Sequence, residues 1–180
     1  RNSYPYVSSL ADLVRTLQQR GDLKSVRGIS YIKDKTVIHT SEPPELDFSK
    51  LLPPSYELIN LDGYDSFIDL ANRQYMYVPI LVNKGCPYPC IYCPYPIGFG
   101  KKSIFRSPKE IVDEIEYLYN EHKIKGFLLR GASFALNLKH AEKICDEIIR
   151  RKLEIAWFCE LRVNEVTKDL LKKMKKSGSS

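Results

Sequence analysis

YVPILVNKGCPYPCIYC, residues 77–93, decides how the rest of the chain is organised. It opens with a short apolar run suited to a buried strand and leads into a loop, rich in proline and glycine, over residues 83–107. The loop holds Cys86, Cys90 and Cys93 with the spacing C-x3-C-x2-C, and the chain has five cysteines in all. An odd number is unlike the disulfide framework of a small secreted domain. The cysteines therefore indicate a metal or redox centre in a reducing compartment, and we expect a cytoplasmic protein.

Downstream of this loop the pattern alternates between helix and strand. The segment after Ser107 predicts a helix with Pro108 at its first position and Glu110 completing a capping box. Two more apolar strands and two more amphipathic helices follow, at residues 125–130, 137–151, 153–160 and 167–176. Such alternation predicts an α/β fold with parallel strands and right-handed crossovers. A complete barrel of eight such units needs about 250 residues, so the pattern covers less than half of one.

The chemistry of the three loop thiols leaves several interpretations open. A structural zinc site needs four ligands, and an electron-transfer iron–sulfur cluster needs four cysteines. No fourth cysteine is near in sequence. The other two, Cys145 and Cys159, fall on a predicted helix face and a predicted strand, both of which belong in the core. The alternatives are an iron–sulfur cluster with one iron open for catalysis, zinc with a distant fourth ligand, and unliganded thiols. The carboxyl end of a parallel strand, where this loop lies, is where such folds place their chemistry.

The motif resembles that of the radical S-adenosylmethionine (SAM) superfamily, with Tyr92 at the aromatic position before the third cysteine. Residues 127–178 resemble a subfamily that carries an N-terminal cobalamin-binding domain, and residues 12–40 and 45–64 resemble the tail of that domain and its linker. The resemblance implies a fragment with three parts. These are a C-terminal remnant of a Rossmann-like cobalamin-binding domain at 1–40, a linker at 41–76, and the first three βα units of a truncated radical SAM barrel at 77–180.

The resemblance also implies cofactors and site residues. Cys86, Cys90 and Cys93 would ligate a [4Fe–4S] cluster whose open iron is chelated by SAM. The residues implied in cofactor binding are Tyr92, Arg130, Gly131, Ala132, Glu160 and Arg162. Gly131 and Ala132 stand where the family often has an acid, and we expect the backbone there to receive the methionine amino group, because glycine permits close approach. The resemblance indicates no catalytic side chain.

The expected reaction is reductive cleavage of SAM to a 5′-deoxyadenosyl radical, with an electron donor such as flavodoxin or ferredoxin. The radical would act on an unknown small-molecule substrate. Methylation or cyclisation linked to cobalamin would follow, with the cobalamin bound by an upstream domain. One alternative is an RNA-modifying enzyme of the methylthiotransferase kind, and another is a non-catalytic zinc or iron–sulfur binding module.

Composition sets the outer bounds on function. Hydrophobic residues make up 43% of the 180 positions, charged residues 28%, and the net charge is +6. Residues 1–100 contain ten basic and ten acidic side chains, so the whole excess lies in residues 101–180. There the lysines alternate with acids at helical spacing, which favours solvated helix faces over a nucleic-acid surface. No apolar run reaches the roughly 18 residues of a membrane span, so we expect none.

Overall fold

The computed structural model describes residues 5–42, 47, 53–61, 66–68 and 74–180. The chain divides into two compact units, residues 1–53 and 54–180. The helices are α1 Pro5–Gln18, α2 Tyr95–Phe99, α3 Pro108–Glu121, α4 Leu138–Arg150 and α5 Lys168–Lys176. The strands are β1 Ser30–Lys33, β2 Thr36–His39, β3 Ser66–Ile68, β4 Gln74–Leu81, β5 Asn83–Lys84, β6 Ile104–Phe105, β7 Gly126–Arg130 and β8 Ala156–Cys159. None of the helices in these ranges is both long and apolar enough to cross a membrane.

The first unit is a helix followed by a hairpin. Strands β1 and β2 pair antiparallel around Asp34 and Lys35, whose φ angles of 49° and 60° give the tight turn that suits a two-residue hairpin loop. Apolar side chains of this unit are largely solvent-exposed in the described chain; they are Leu10, Val14, Leu17, Ile32 and Val37. An amphipathic helix normally buries such a stripe against another element.

The second unit is built on a four-stranded sheet in the order β3-β4-β7-β8. β4, β7 and β8 run parallel, with Val78 opposite Phe127 and Phe127 opposite Trp157. This confirms the parallel alternation that the sequence predicts. Helices α3 and α4 provide the two crossovers, and their apolar faces bury Ile115 and Ile144 completely. The described strands form an open sheet, so barrel closure remains an expectation.

The range predicted as a linker, residues 41–76, is divided between the two units, and its part from Pro54 onward belongs to the second. Tyr56, in a 3-10 turn over Tyr56–Leu58, and Leu61 are both buried in the hydrophobic core. β3 pairs antiparallel with the start of β4, which begins at Gln74 rather than Tyr77. The two Pro-Pro pairs predict extended chain. That prediction overlooks Tyr56 and Leu61, the apolar residues that pack into the core. The linker positions 43–46, 48–52, 62–65 and 69–73 lie outside the described residues.

Helix starts differ in detail from the sequence prediction. α3 begins at Pro108 as expected, but its N-cap Ser107 makes no side-chain capping bond, so the predicted capping box does not form. Thr167 does cap α5, because its hydroxyl accepts from the Leu170 backbone N–H at 3.1 Å. After α5 the chain turns at Gly178, whose φ is +95° and where a Cβ would lie 2.1 Å from the Ile155 carbonyl oxygen. Ser179 then forms a parallel bridge to Trp157 alongside β8.

Candidate functional site

The cysteine loop is closed at its base by β5 and β6, which pair antiparallel. Gly85 sits in the left-handed region with φ +83°, and a Cβ there would lie only 1.9 Å from the Lys102 carbonyl oxygen. The backbone N–H of Cys86 donates to the Gly100 carbonyl at 3.0 Å. Only glycine allows two strands of backbone to approach this closely, so the loop that begins at Cys86 has a fixed base.

The five thiols fall into two classes. Cys86, Cys90 and Cys93 are free and partly exposed, and the Cys93 N–H donates to the Cys90 carbonyl at 3.1 Å across one tight turn. Burial raises the pKa of Cys145 to about 11 and that of Cys159 to about 12. A thiol held protonated within the core is a poor ligand, because metals bind the thiolate. Cys145 is buried and Cys159 is partly exposed, whereas the three loop thiols are set apart by lying together on one loop. Their role as cluster ligands remains a prediction.

The donor set fits an iron–sulfur cluster in kind and number. Within the described ranges, no three His, Cys, Asp or Glu side chains are arranged to hold a single metal ion. A cluster offers several irons, so its three thiolates need not converge on one point. Tyr95 lies near these groups. Burial raises its pKa, and the charges of Cys86 and Cys93 add to the increase. The charge of Arg130 opposes it, and the net shift of the pKa is upward.

Tyr92, predicted to contact the cofactor, is exposed at the tip of this loop, with 86% of its surface accessible. The neighbouring Ile91 is fully exposed, and α2 follows with the rings of Tyr95 and Phe99 stacked at 4.5 Å. Solvent thus reaches an aromatic ring directly before the third cysteine. Such a ring is available for stacking, because the described part of the chain leaves most of it uncovered.

The segment after β7 packs against a residue that sequence reasoning missed. Asn83 is fully buried, and its Oδ1 accepts from the Ala132 N–H at 2.9 Å while its Nδ2 donates to the Ser133 carbonyl at 2.9 Å. A Cβ on Gly131 would lie 2.7 Å from the Asn83 side chain. The close approach that Gly131 permits is therefore made by Asn83. Whether the Arg130–Ala132 backbone also receives a ligand remains a prediction.

The segment after β8 carries the remaining predicted residues. Glu160 lies 3.8 Å from Arg130, and both side chains are mostly exposed. The guanidinium carbon of Arg162 stands 3.7 Å from the centre of the Tyr88 ring. Its Nη1 atom is buried and has no hydrogen-bond partner among the residues that the structure describes. A desolvated donor of this kind is costly unless a partner completes it.

Glu165 joins the three parts of the site. Its Oε1 accepts from the Tyr88 hydroxyl at 2.9 Å, and its Oε2 accepts from the Ser133 hydroxyl and from the Arg162 backbone N–H, the latter at 3.3 Å. Glu165 thereby connects the cysteine loop to the chain after β7 and after β8. Its bond to Tyr88 spans 77 residues of sequence. The only sequence signal for this contact is the position of Tyr88 inside the cysteine motif.

Comparison with known families matches the site-bearing part of the chain. The sequence profile of the Radical SAM superfamily matches residues 80–180. An uncharacterised methyltransferase of Pyrococcus horikoshii is 29% identical over 168 residues, which are 93% of this chain and 35% of that protein. An anaerobic magnesium-protoporphyrin IX monomethyl ester cyclase of Cereibacter sphaeroides is 29% identical over 166 residues, 86% of this chain and 25% of that protein.

Solved structures share the fold. The radical SAM methyltransferase TsrM from Kitasatospora setae, with tryptophan substrate and a SAM analogue bound, superimposes with a TM-score of 0.69 at 17% identity. The match covers 98% of this chain and 35% of that one. A TsrM structure with cobalamin and a [4Fe–4S] cluster bound gives 0.68 at 16% identity. This chain thus spans between a quarter and about a third of the length of the proteins it matches here.

Proposed function

Because the chain belongs to the radical SAM superfamily, a family of enzymes that use a [4Fe–4S] cluster and SAM, we propose that Cys86, Cys90 and Cys93 bind the cluster. The observation that carries this proposal is the separation of the thiols. Three lie partly exposed on one fixed loop, whereas burial raises the pKa of Cys145 and of Cys159 and keeps these two thiols protonated. The chemistry that the bound cluster supplies is a one-electron reduction of SAM, which breaks a sulfonium C–S bond and yields a 5′-deoxyadenosyl radical. A flavodoxin- or ferredoxin-like protein would provide that electron.

The other site residues would bind and orient SAM. Arg162 would receive its carboxylate, since Nη1 of this side chain is desolvated and lacks a partner in the described part of the chain. The exposed ring of Tyr92 would stack on the adenine, and Glu160 with the Arg130–Ala132 segment would contact the remaining polar groups. These roles follow from family resemblance together with the positions of the residues after β7 and β8. Asn83 would support Gly131 and Ala132 from behind.

The reaction of the whole protein would be methylation or cyclisation of a small molecule, assisted by cobalamin. The matched proteins include a methyltransferase and a cyclase, which favours this outcome over RNA modification. The exposed apolar side chains of the first unit support a larger cobalamin-binding domain that would cover them. Retention of a corrinoid by the intact protein after anaerobic gel filtration would test this step, and an intact protein that retains none would contradict it.

The cluster is tested by anaerobic reconstitution of the chain followed by iron and sulfide analysis. We expect about four irons and four sulfides in the unaltered chain, as the proposed [4Fe–4S] cluster requires. Replacement of Cys86, Cys90 or Cys93 by Ala should abolish them. Cys145→Ala is the matched control, because it removes a thiol from the core and should leave the cluster intact. Stoichiometric zinc without iron in the unaltered chain would overturn the proposal.

A further inference from the structure

The side chain of Tyr88 reaches from the cysteine loop to the segment that follows β8. Tyr88 lies midway between Cys86 and Cys90, and its hydroxyl donates to Glu165 at 2.9 Å. The phenol is the donor of this hydrogen bond, and the Glu165 carboxylate accepts it. The ring of the same tyrosine is covered by the guanidinium of Arg162 at 3.7 Å. The tyrosine is thus held by its hydroxyl and by its face.

Glu165 is held in turn by groups that do not belong to the loop. The Ser133 hydroxyl donates to Oε2, and so does the Arg162 backbone N–H. A carboxylate that accepts several hydrogen bonds is fixed in position and direction. Its partners follow two neighbouring parallel strands, β7 and β8, whose pairing is set by the sheet. Tyr88 is therefore held in place by the rigid part of the fold and not by the loop alone.

The restricted backbone around Tyr88 couples its position to the positions of two thiols, those of Cys86 and Cys90. Cys86 and Tyr88 each precede a proline, and a residue before proline is restricted to extended backbone. Pro87 and Pro89 have a fixed φ of their own. Few free dihedral angles therefore remain between Cys86 and Cys90, and one fixed side chain at the middle residue limits where both thiols lie. In the unrestrained loop the same thiols would sample more positions, at a cost in entropy when a cluster binds.

We propose that Tyr88 and Glu165 form a latch that positions Cys86 and Cys90 for the cluster. The latch acts through these thiols and touches neither SAM nor substrate, so both members are positioning residues. The proposal rests on the proposed function for its purpose, whereas the latch itself is a property of the cluster-free chain. This makes the two separable by experiment.

The test compares Tyr88→Phe and Glu165→Gln with matched controls in the other unit and on the outside of α3. Tyr88→Phe keeps the ring and the contact with Arg162 but loses the hydroxyl. Tyr31→Phe and Glu121→Gln make the same chemical changes at positions outside the site. Near-ultraviolet circular dichroism checks that each variant is folded, and Tyr88→Phe carries the test alone if Glu165→Gln unfolds.

Two measurements are made. In the cluster-free chain, amide hydrogen exchange over residues 86–93 should become about tenfold faster or more in both variants, since each loses a hydrogen bond to a charged group. In the reconstituted chain, loss of iron to a chelator should become roughly 10- to 100-fold faster, the usual effect of removing a group that orients a metal ligand. The double variant should show no further change. Both controls should match the unaltered chain.

The outcomes distinguish the two proposals. Exchange and iron loss at control rates in Tyr88→Phe would overturn the latch, whatever the cluster content. Faster amide exchange with an unchanged rate of iron loss would overturn the positioning role, because the latch would then hold the loop without affecting how the thiols bind the cluster. Failure of the unaltered chain to take up iron would instead overturn the proposed function, and the exchange experiment would still decide whether the tether holds the loop.

Discussion

The second unit contains two groups made of the same three residue types, a tyrosine, a glutamate and an arginine, in very different surroundings. The interior triad is Tyr56, Glu114 and Arg106, and the site triad is Tyr88, Glu165 and Arg162. In both, the tyrosine hydroxyl donates to the carboxylate, at 2.5 Å in the interior triad and 2.9 Å in the site triad. The difference lies in what each arginine does.

In the interior triad the arginine forms an ion pair with the carboxylate. Nη1 of Arg106 lies 2.7 Å from Oε2 of Glu114, and the two side chains are only 11% and 3% exposed. The same nitrogen donates to the Leu81 carbonyl at 3.0 Å. The negative and positive charges thus neutralise each other within the protein. This triad fastens Tyr56 and the end of β4 onto α3, and the ion pair with Arg106 is the contact of Oε2 of Glu114, which has no further hydrogen bond among the described residues.

In the site triad the arginine contacts the tyrosine ring. Arg162 stacks on the tyrosine ring, and the carboxylate is occupied by hydroxyl and backbone donors. Nη1 of Arg162 is left buried and, within the described ranges, unpaired. The same three residue types therefore build a buried ion pair in one place and a cation stacked on a tyrosine ring in the other. Which of the two forms depends on whether the guanidinium pairs with its own carboxylate.

The largest effect is expected from breaking the interior triad. Glu114→Gln should lower the free energy of unfolding by about 3–5 kcal/mol, because it leaves the Arg106 charge buried without a counter-charge. Urea denaturation followed by circular dichroism measures the change. Glu110→Gln, on the exposed side of the first turn of α3, is the matched control and should change stability by less than about 0.5 kcal/mol. A cost at Glu114 as small as that of the control would show that the pair does not hold this part of the fold.

A smaller effect of a different kind is expected in the site triad. Arg162→Gln should alter the free energy of unfolding by no more than about 1 kcal/mol, the usual worth of a partly exposed cation–π contact. It should weaken SAM binding to the reconstituted chain roughly 10- to 100-fold, the loss of a charge-assisted hydrogen bond. Anaerobic titration calorimetry measures the affinity, and Arg150→Gln on α4 serves as the exposed control. Unchanged SAM affinity would remove Arg162 from the binding site.

These triads also show where sequence reasoning reaches its end. The strands around Val78, Phe127 and Trp157 are predictable because each is an apolar run bounded by glycine, proline or charge. The cysteine motif is predictable because its three cysteines lie within eight residues. The family resemblance predicts Arg162 as a site residue, and its stacking on Tyr88 is visible only in the structure.

The contacts that complete the site join distant positions and leave no local pattern. Glu165 belongs to a short 3-10 turn whose sequence suggests only a surface, and its partner Tyr88 lies 77 residues earlier. Asn83 is a polar residue after a strand, which ordinarily marks a loop, yet it is fully buried beneath Gly131. β3 is only three residues long and owes its existence to its pairing with β4. Contacts between distant parts of the chain determine whether such elements form, so local sequence propensity does not predict them.

The smallest effect is expected at the edge of the interior triad, where His140 lies against the backbone of Arg106. Its Nε2 is 2.6 Å from the Arg106 carbonyl oxygen, its ring is 5.0 Å from that of Phe105, and its Nδ1 is buried without a partner. Burial lowers the pKa of His140, a direction that the nearby Lys143 reinforces and the backbone hydrogen bond opposes. The folded protein therefore holds this imidazole neutral, with Nε2 donating.

Since the unfolded chain binds the proton more readily, the stability that neutral His140 contributes is complete above the ordinary histidine pKa of about 6.5. It is lost as the pH falls from there through the lower folded value, with a slope of at most about 1.4 kcal/mol per pH unit. Urea denaturation from pH 8 to pH 5 should show this slope in the unaltered chain and in His39→Gln, the exposed control. The slope should be absent in His140→Gln, which keeps a donor for the Arg106 carbonyl but does not titrate. An equal slope in all three proteins would show that His140 is not the source of the acid sensitivity. Carboxylates such as Glu147, whose pKa is lowered by its hydrogen bonds to Arg150 and Arg151, would lose their contribution only below the ordinary glutamate pKa of about 4.3.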